Sequence, residues 1–259
     1  KTPGTRNPSA PFTTSTLQQE ANSKLGFGSK ATMTAAQKLY QDGKITYMRT
    51  DSVNLSGQAI ASATEFIKRL YGPEYSTVRK FKTKNSSAQE AHEAIRPTDI
   101  SRETASNNEY DQKLYDLIRR RTLASQMAPA KLEKTTATIA ISTAKEVFEA
   151  KGEVIVFDGF LRVYGGGKEE ILPAIKSSEA LQSSQIEARQ VFARPPARYT
   201  EGSLVKKLED LGIGRPSTYA TIIDTVQTRG YVEKGEGEGE PRDVIVLRVS
   251  PQSTEDGSK

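Results

Sequence analysis

The sequence predicts a multi-domain α+β chain: a helical, winged-helix-like domain first, an antiparallel β segment after it, and a partial second helix-turn-helix-like domain last. Three observations carry this expectation. Apolar residues recur at helical spacing through roughly the first half of the chain, and the period changes to two from Thr135. A helix, glycine turn, helix pattern around Leu25-Gly26-Phe27-Gly28 then returns around Leu211-Gly212-Ile213-Gly214.

Composition sets the bounds. A chain of 259 residues suits two modest domains or one large one. Apolar content is 35%, and no apolar run is long enough for a transmembrane span. Zero Cys excludes disulfides and thiolate metal sites and fits a cytoplasmic origin. The net charge of +5 permits a polyanionic partner without requiring one. Lys1-Thr2-Pro3-Gly4-Thr5 has neither an initiator Met nor a signal-peptide hydrophobic region, and reads as a cut inside a longer polypeptide.

Residues 1–11 read as a linker or a strand remnant. Ser15 or Thr16, each with Gln three residues on, predicts a capping-box start to a helix that turns Leu17, Ala21 and Leu25 inward and stops at Gly26. A second helix, 30–41, presents Met33, Ala36, Leu39 and Tyr40, and Gly43 ends it. Ile45, Tyr47 and Met48 then suit a short strand running into the turn formers Asp51, Ser52, Asn54 and Ser56. Ser56 caps a helix carrying Ile60, Ala63, Ile67, Leu70 and Tyr71, closed by Gly72-Pro73. Val78 to Lys84 is basic and extended. Ser87 starts a short helix through His92, which Arg96-Pro97 ends.

A longer helix, about 108–127, buries Leu114, Leu117, Ile118 and Ala124 and leaves Arg119, Arg120 and Arg121 on a solvated face. After Thr135, Val154–Phe157 and Phe160–Tyr164 flank Asp158-Gly159 as antiparallel strands. Gly165-Gly166-Gly167-Lys168 lacks the Gly-Lys-Ser/Thr ending of a phosphate loop. Residues 183–193 add a strand before the Arg194-Pro195-Pro196 linker. Leu204 and Leu208 lie on one helix; Ser217 caps the next, with Tyr219, Ile222, Ile223 and Val226 on one face. Tyr231–Lys234 and Val244–Val249 close the chain as strands.

A tyrosine hydroxyl is a potential covalent nucleophile, and Arg49 shares the strand face of Tyr47, where a guanidinium can clamp a phosphate. Ile45-Thr46-Tyr47-Met48-Arg49-Thr50-Asp51-Ser52 resembles the active-site signature of bacterial type IA DNA topoisomerases. Thr14–Ala21, His92-Glu93-Ala94-Ile95-Arg96-Pro97-Thr98 and the run from Pro195 to Tyr231, with its Gly212-Ile213-Gly214-Arg215-Pro216-Ser217-Thr218-Tyr219-Ala220, resemble further motifs of that family in the same order. The resemblance covers roughly residues 12–234.

It implies a gate domain over 12–131 bearing the nucleophile, a β-rich arch segment over 132–193 and a partial helical base domain over 194–259, with 1–11 as linker or arch remnant. It implies that Tyr47 attacks a single-stranded DNA phosphodiester and holds the 5′ end as a phosphotyrosine. Negative supercoils are then relaxed by strand passage without ATP. A free tyrosine, with a pKa of about 10, is neutral at pH 7 and needs help to attack; Arg49 is the expected stabiliser of phosphorane charge.

By the same resemblance, His92 and Arg96 lie near the tyrosine and handle DNA, their spacing placing them on one helix face. Ser52 can reach a phosphate. Arg198, Arg215, Ser217, Thr218 and Tyr219 match the segment that contacts single-stranded DNA, with a phosphate at the helix start. The family's Mg²⁺ ligands and general acid belong to a toprim domain outside this chain, so the chain alone is expected neither to cleave efficiently nor to relax. The expected partners are single-stranded and negatively supercoiled DNA and the rest of the parent chain, with no membrane, in the bacterial nucleoid. The residues alone also permit a non-catalytic DNA-binding module of two winged-helix-like units, with Tyr47 as ordinary surface.

Overall fold

Thr13, two or three residues ahead of the expected Ser15 or Thr16, caps the first helix. Its hydroxyl accepts the Thr16 N–H, and the Thr16 hydroxyl accepts the Thr13 N–H in return, a capping box with threonine in the place expected for glutamine. The structure, a computed structural model, describes residues 1–82, 92–236 and 239–250. The chain divides into two compact units, one formed by Lys1–Leu172 with Tyr199–Val232, the other by Pro173–Arg198 with Glu233–Lys259.

In the first unit, α1 (Thr14–Leu25) and α2 (Ser29–Gln41) meet through Leu17, Ala21, Ala36 and Leu39, all buried. The helix α3 (Gly57–Tyr71), capped by the Ser56 hydroxyl, turns Ala63, Phe66 and Ile67 inward and leaves Leu70 exposed. The long helix α4 (Glu109–Ser125) lies against all three. Its buried Leu114, Tyr115, Leu117 and Ile118 join Phe12, Phe27, Ile45, Met48 and Ile95 in the main core. Burial pushes the Tyr115 phenol up to about 12, and its hydroxyl donates to the Arg102 carbonyl at 3.0 Å.

The arginine triplet at the end of α4 is not a uniform solvated face. Arg120 is exposed, whereas Arg119 reaches the Ile100 carbonyl at 2.9 Å and Arg121 is buried. Helical periodicity explains this: at about 100° per residue, three neighbours cannot share one face. Arg121 bonds Glu20 of α1 at 2.5 Å, the Ala10 carbonyl at 2.6 Å and the Tyr164 hydroxyl at 3.0 Å.

The first residues are a strand rather than a linker. β1 (Thr2–Arg6) pairs antiparallel with β2 (Ala130–Ala140), and β2 with β3 (Val147–Phe157), giving the order β1-β2-β3. The expected strand at Phe160–Tyr164 is instead a short helical turn, α5 (Leu161–Tyr164). It is closed by the Val163 N–H to the Phe160 carbonyl and the Gly165 N–H to the Leu161 carbonyl. Gly159 sets this reversal at φ 51°, and a Cβ there would stand 2.4 Å from the Ala128 carbonyl oxygen. Gly159→Ala is expected to destabilise the protein by about 2–3 kcal/mol, read as a lowered urea midpoint with unchanged slope.

The helices α6 (Glu201–Asp210) and α7 (Tyr219–Thr228) share a small core of Val205, Tyr219 and Ile223. Thr218, not Ser217, occupies the cap position of α7. α6 packs on α1 and α7 on α2, so the two helix pairs face each other. Neither pair carries the expected wing. Residues 44–48 form only the isolated bridge Ile45↔Pro97, and Tyr231–Lys234 form no strand, the Tyr231 N–H instead closing a turn onto the Val226 carbonyl. In the second unit, β4 (Ile186–Arg189) pairs antiparallel with β5 (Val246–Val249).

Candidate active site

The segment from Lys44 to Thr50 makes only the bridge Ile45↔Pro97, flanked by the Thr46 N–H to the Arg96 carbonyl and the Thr98 N–H to the Lys44 carbonyl, and builds no further ladder because the Arg96 N–H goes to the Thr46 hydroxyl. It is held instead by two threonines. Thr46 donates its backbone N–H to the Arg96 carbonyl at 2.9 Å and its hydroxyl to the Ala94 carbonyl at 2.7 Å, and accepts the Arg96 N–H at 3.0 Å. Two residues on, the fully buried Thr14 at the start of α1 donates its hydroxyl to the carbonyls of Met48 (2.7 Å) and Thr50 (3.1 Å) and accepts the Thr50 N–H (2.8 Å). Ile45 and Met48 are each 1% exposed, so the backbone on either side of Tyr47 is anchored in the core.

Tyr47 therefore points outward from a pinned backbone. It is 46% exposed, and among the described residues its hydroxyl makes no hydrogen bond. Its ring meets Tyr40 of α2 edge-on, with centroids 5.2 Å apart. Arg49 is exposed as well, although the strand expected to carry both side chains is absent. Arg49 lines a groove of about 520 Å³ with Lys30 and Lys38 of α2, and with Ser217, Ala220 and Asp224 on the α7 side. The structure thus brings Arg49 and Ser217 together.

Ser52 is buried. Its N–H donates to the Thr50 hydroxyl and its own hydroxyl accepts the Asn54 N–H, so it shapes the turn. His92 is exposed, and the residues from His92 to Arg96 are extended, not helical as expected. The expected helix start at Ser87 lies outside the described residues. Arg96 is held by internal partners: Nη2 bonds Glu93 at 2.7 Å and Nη1 the Pro97 carbonyl at 2.9 Å. Glu93 also accepts the Ser56 N–H at 2.6 Å. These bonds tie the His92 segment to the start of α3.

Burial pushes the Glu93 carboxyl up, but the hydrogen bonds from Arg96 and Ser56 outweigh it and leave it below its ordinary 4.5. A depressed carboxyl contributes stability that is complete above the ordinary value and lost as pH falls through the folded one. Thermal melts at about pH 6 and about pH 3.5 are expected to show a smaller acid loss in Glu93→Gln than in the parent sequence.

Around α7, the Thr218 hydroxyl accepts the Arg215 N–H at 2.8 Å, and the exposed Arg215 side chain donates to the Gly214 carbonyl at 2.8 Å. Tyr219 is 6% exposed and is a core residue. Burial first, then the charges of Glu209 and Asp51, raises its phenol, with Arg215 opposing. Arg198 is exposed in the second unit. Among the described residues no three Asp, Glu or His side chains converge to hold a metal ion.

A family model described as DNA topoisomerase matches residues 1–244. The chain belongs to the DNA topoisomerase family. It is 49% identical over 244 residues to DNA topoisomerase 1 of Zymomonas mobilis, and 48% identical over 239 residues to that of Vibrio cholerae. Both alignments cover 89% of this chain, but only 20% and 27% of those relatives. The full-length topoisomerase I of Thermotoga maritima superposes with a TM-score of 0.76 at 38% identity, over 91% of this chain and 40% of that one. The resemblance to bacterial DNA topoisomerase I read from four motifs therefore holds, and the chain spans well under half the length of these topoisomerases.

Local sequence reasoning missed Thr14, Thr46, Glu93 and Tyr40 as the residues that hold Tyr47 and its neighbouring segment. Thr14, Thr46 and Glu93 do fall inside the motifs that carried the resemblance to the topoisomerases, and that was the available signal.

Proposed function

We propose that this chain is the nucleophile-bearing part of a type IA DNA topoisomerase. The Tyr47 oxygen attacks a phosphodiester of single-stranded DNA. A bond forms from that oxygen to phosphorus as the phenol gives up its proton to solvent, the bond to the 3′ oxygen breaks, and the departing 3′ oxygen takes up a proton, so the exchange is balanced in protons as well as phosphodiesters. The 5′ end stays on Tyr47 until the 3′ hydroxyl attacks back. One phosphodiester is exchanged for another, so relaxation of negative supercoils by strand passage consumes no ATP.

The observation that carries this reading is the exposed Tyr47 on a backbone anchored on both sides, with Arg49, two residues on, lining a groove with Lys30 and Lys38. Arg49 neutralises charge developing on the phosphoryl oxygens, an effect worth about 3–4 kcal/mol for a donor aimed at a transition state. His92, Arg96, Ser217 and Thr218 contact or organise the DNA strand, as do Arg215, Tyr219 and Arg198; Ser52 sets the turn beneath it. Residues 12–131 serve as gate, 132–193 as arch segment and 194–259 as part of the base. Mg²⁺ is supplied for by the remainder of the parent, which acts in the bacterial cytoplasm, and the chain by itself is inactive.

The packing of α1 on α6 and of α2 on α7 speaks against a pair of independent winged helices, since each candidate recognition helix already has an occupied face. The deciding experiment supplies the parent's remaining chain, Mg²⁺ and end-labelled single-stranded DNA, then looks for a covalent adduct on denaturing gels. An adduct that persists without the Tyr47 hydroxyl would overturn the proposal.

A further inference from the structure

The start of α2 has no cap of its own. Its cap position is Gly28, which has no side chain to accept an N–H, and its first turn contains no acidic residue. The carboxylate comes from elsewhere: Glu201, the first residue of α6, accepts the Ser29 N–H through Oε2 at 2.7 Å. One side chain 172 positions away thus supplies both the missing hydrogen bond and a negative charge at the positive end of the helix. A Cβ on Gly28 would stand 3.1 Å from that carboxylate, so the glycine leaves the carboxylate its room.

The other end of α2 meets the nucleophile segment. Tyr40, one residue from the end of the helix, packs edge-on against Tyr47. Between the two ends, α2 is a rod of 13 residues, about 20 Å long, whose Ala36 and Leu39 are buried. A shift or fraying at Ser29 is therefore passed along a stiff element to the ring against which Tyr47 rests. We propose that Glu201 is a positioning residue for Tyr47, acting through α2. The inference rests on the reading of Tyr47 as nucleophile, and it adds a residue from α6 to the groups that place the phenol.

The test uses the space at Gly28. Glu201→Ala removes the cap, while α6 stays docked through Glu209 accepting the Ser15 hydroxyl at 2.7 Å and Asn22 accepting the Gly202 N–H at 3.2 Å. The double variant Glu201→Ala with Gly28→Ser restores a cap from within α2, whose position 28 already has the extended backbone of an N-cap, at φ −69° and ψ 159°. In this chain, Glu201→Ala is expected to speed hydrogen exchange at the Ser29 amide about fivefold and to shift the Tyr47 ring resonances; the double variant, whose new hydroxyl accepts the Lys30 or Ala31 N–H and not that of Ser29, leaves the Ser29 exchange fast and restores the ring resonances.

In the completed parent enzyme, adduct formation is expected to slow about tenfold in Glu201→Ala and to recover in the double variant. Glu201→Gln, which keeps an acceptor and loses the charge, falls between. A Tyr47 ring that does not move in Glu201→Ala, or that moves and is not restored by Gly28→Ser, overturns the proposal. A wild-type parent that forms no adduct, with the exchange and resonance changes as expected, would sink the assigned function and leave the coupling standing.

Discussion

Tyr47→Phe is expected to abolish the covalent DNA adduct of the completed enzyme while leaving stability within about 0.5 kcal/mol of wild type. The two halves of that expectation have separate physical grounds. The ring is 46% exposed, and its contact with Tyr40 is made by carbon atoms that phenylalanine keeps. Among the described residues no partner loses a hydrogen bond when the hydroxyl goes. The chemistry has no such tolerance. Without the oxygen there is no atom to form the bond to phosphorus, so the loss is total rather than a fraction of transition-state stabilisation. The measurement is a denaturing gel of labelled single-stranded DNA beside a thermal melt. Tyr231→Phe, at a more exposed ring, serves as the control expected to retain the adduct. An adduct at wild-type level in Tyr47→Phe would move the nucleophile to another residue.

Some parts of this arrangement were legible in the sequence and others were not, for identifiable reasons. The helices of the first unit were, because Leu17, Ala21, Ala36, Leu39, Ile67 and Ile118 repeat at a spacing that only one face of a helix can bury. The period of two from Thr135 and the run Val154–Phe157 were legible as strand and fall in β2 and β3, but their pairing was not, since Val154–Phe157 was expected to turn back onto Phe160–Tyr164. The strand expected at Tyr47 was not found, because the amides that would extend the Ile45↔Pro97 bridge are taken elsewhere, that of Arg96 by the Thr46 hydroxyl and that of Ile95 by the Phe12 carbonyl. Phe160–Tyr164 has strand-like composition, yet a tight turn at Gly159 and the demand of Glu20 and Arg121 for the Tyr164 hydroxyl fold it into a helical turn. Tyr47 and Arg49 were found as a pair because both lie in one short motif. The groups that hold them were not, since Thr14 lies 34 positions from Met48 and Glu201 lies 172 from Ser29, distances over which local pattern carries no information.

Arg121→Ala is expected to destabilise the protein by about 3–4 kcal/mol, lowering Tm by about 6–15 °C, whereas Arg120→Ala one residue away changes stability by less than about 0.5 kcal/mol. The side chains of Arg121 and Glu20 are only 11% and 16% exposed. Their 2.5 Å contact is one bond of a network: the Tyr164 hydroxyl donates to Glu20 at 2.5 Å, Lys24 pairs with Glu20 at 2.7 Å, and the guanidinium lies over the Phe12 ring at 4.6 Å. Burial first, with Glu20 adding and Arg121 opposing, holds the Tyr164 phenol well above its ordinary range, so it stays a hydrogen-bond donor. Removing Arg121 leaves a carboxylate and a carbonyl half-satisfied in a site that water does not reach freely, and this sets the size of the effect. Arg121→Lys keeps the charge but not the planar fork that spans Glu20, Ala10 and Tyr164 together, and is expected to recover only part of the loss. Because the network joins α1, α4 and α5, its loss is also expected to loosen the base of α1, where Thr14 holds the Tyr47 backbone. Faster hydrogen exchange at Thr50, whose N–H Thr14 accepts, measures that coupling; an unchanged Thr50 amide in a destabilised Arg121→Ala would confine Arg121 to global stability.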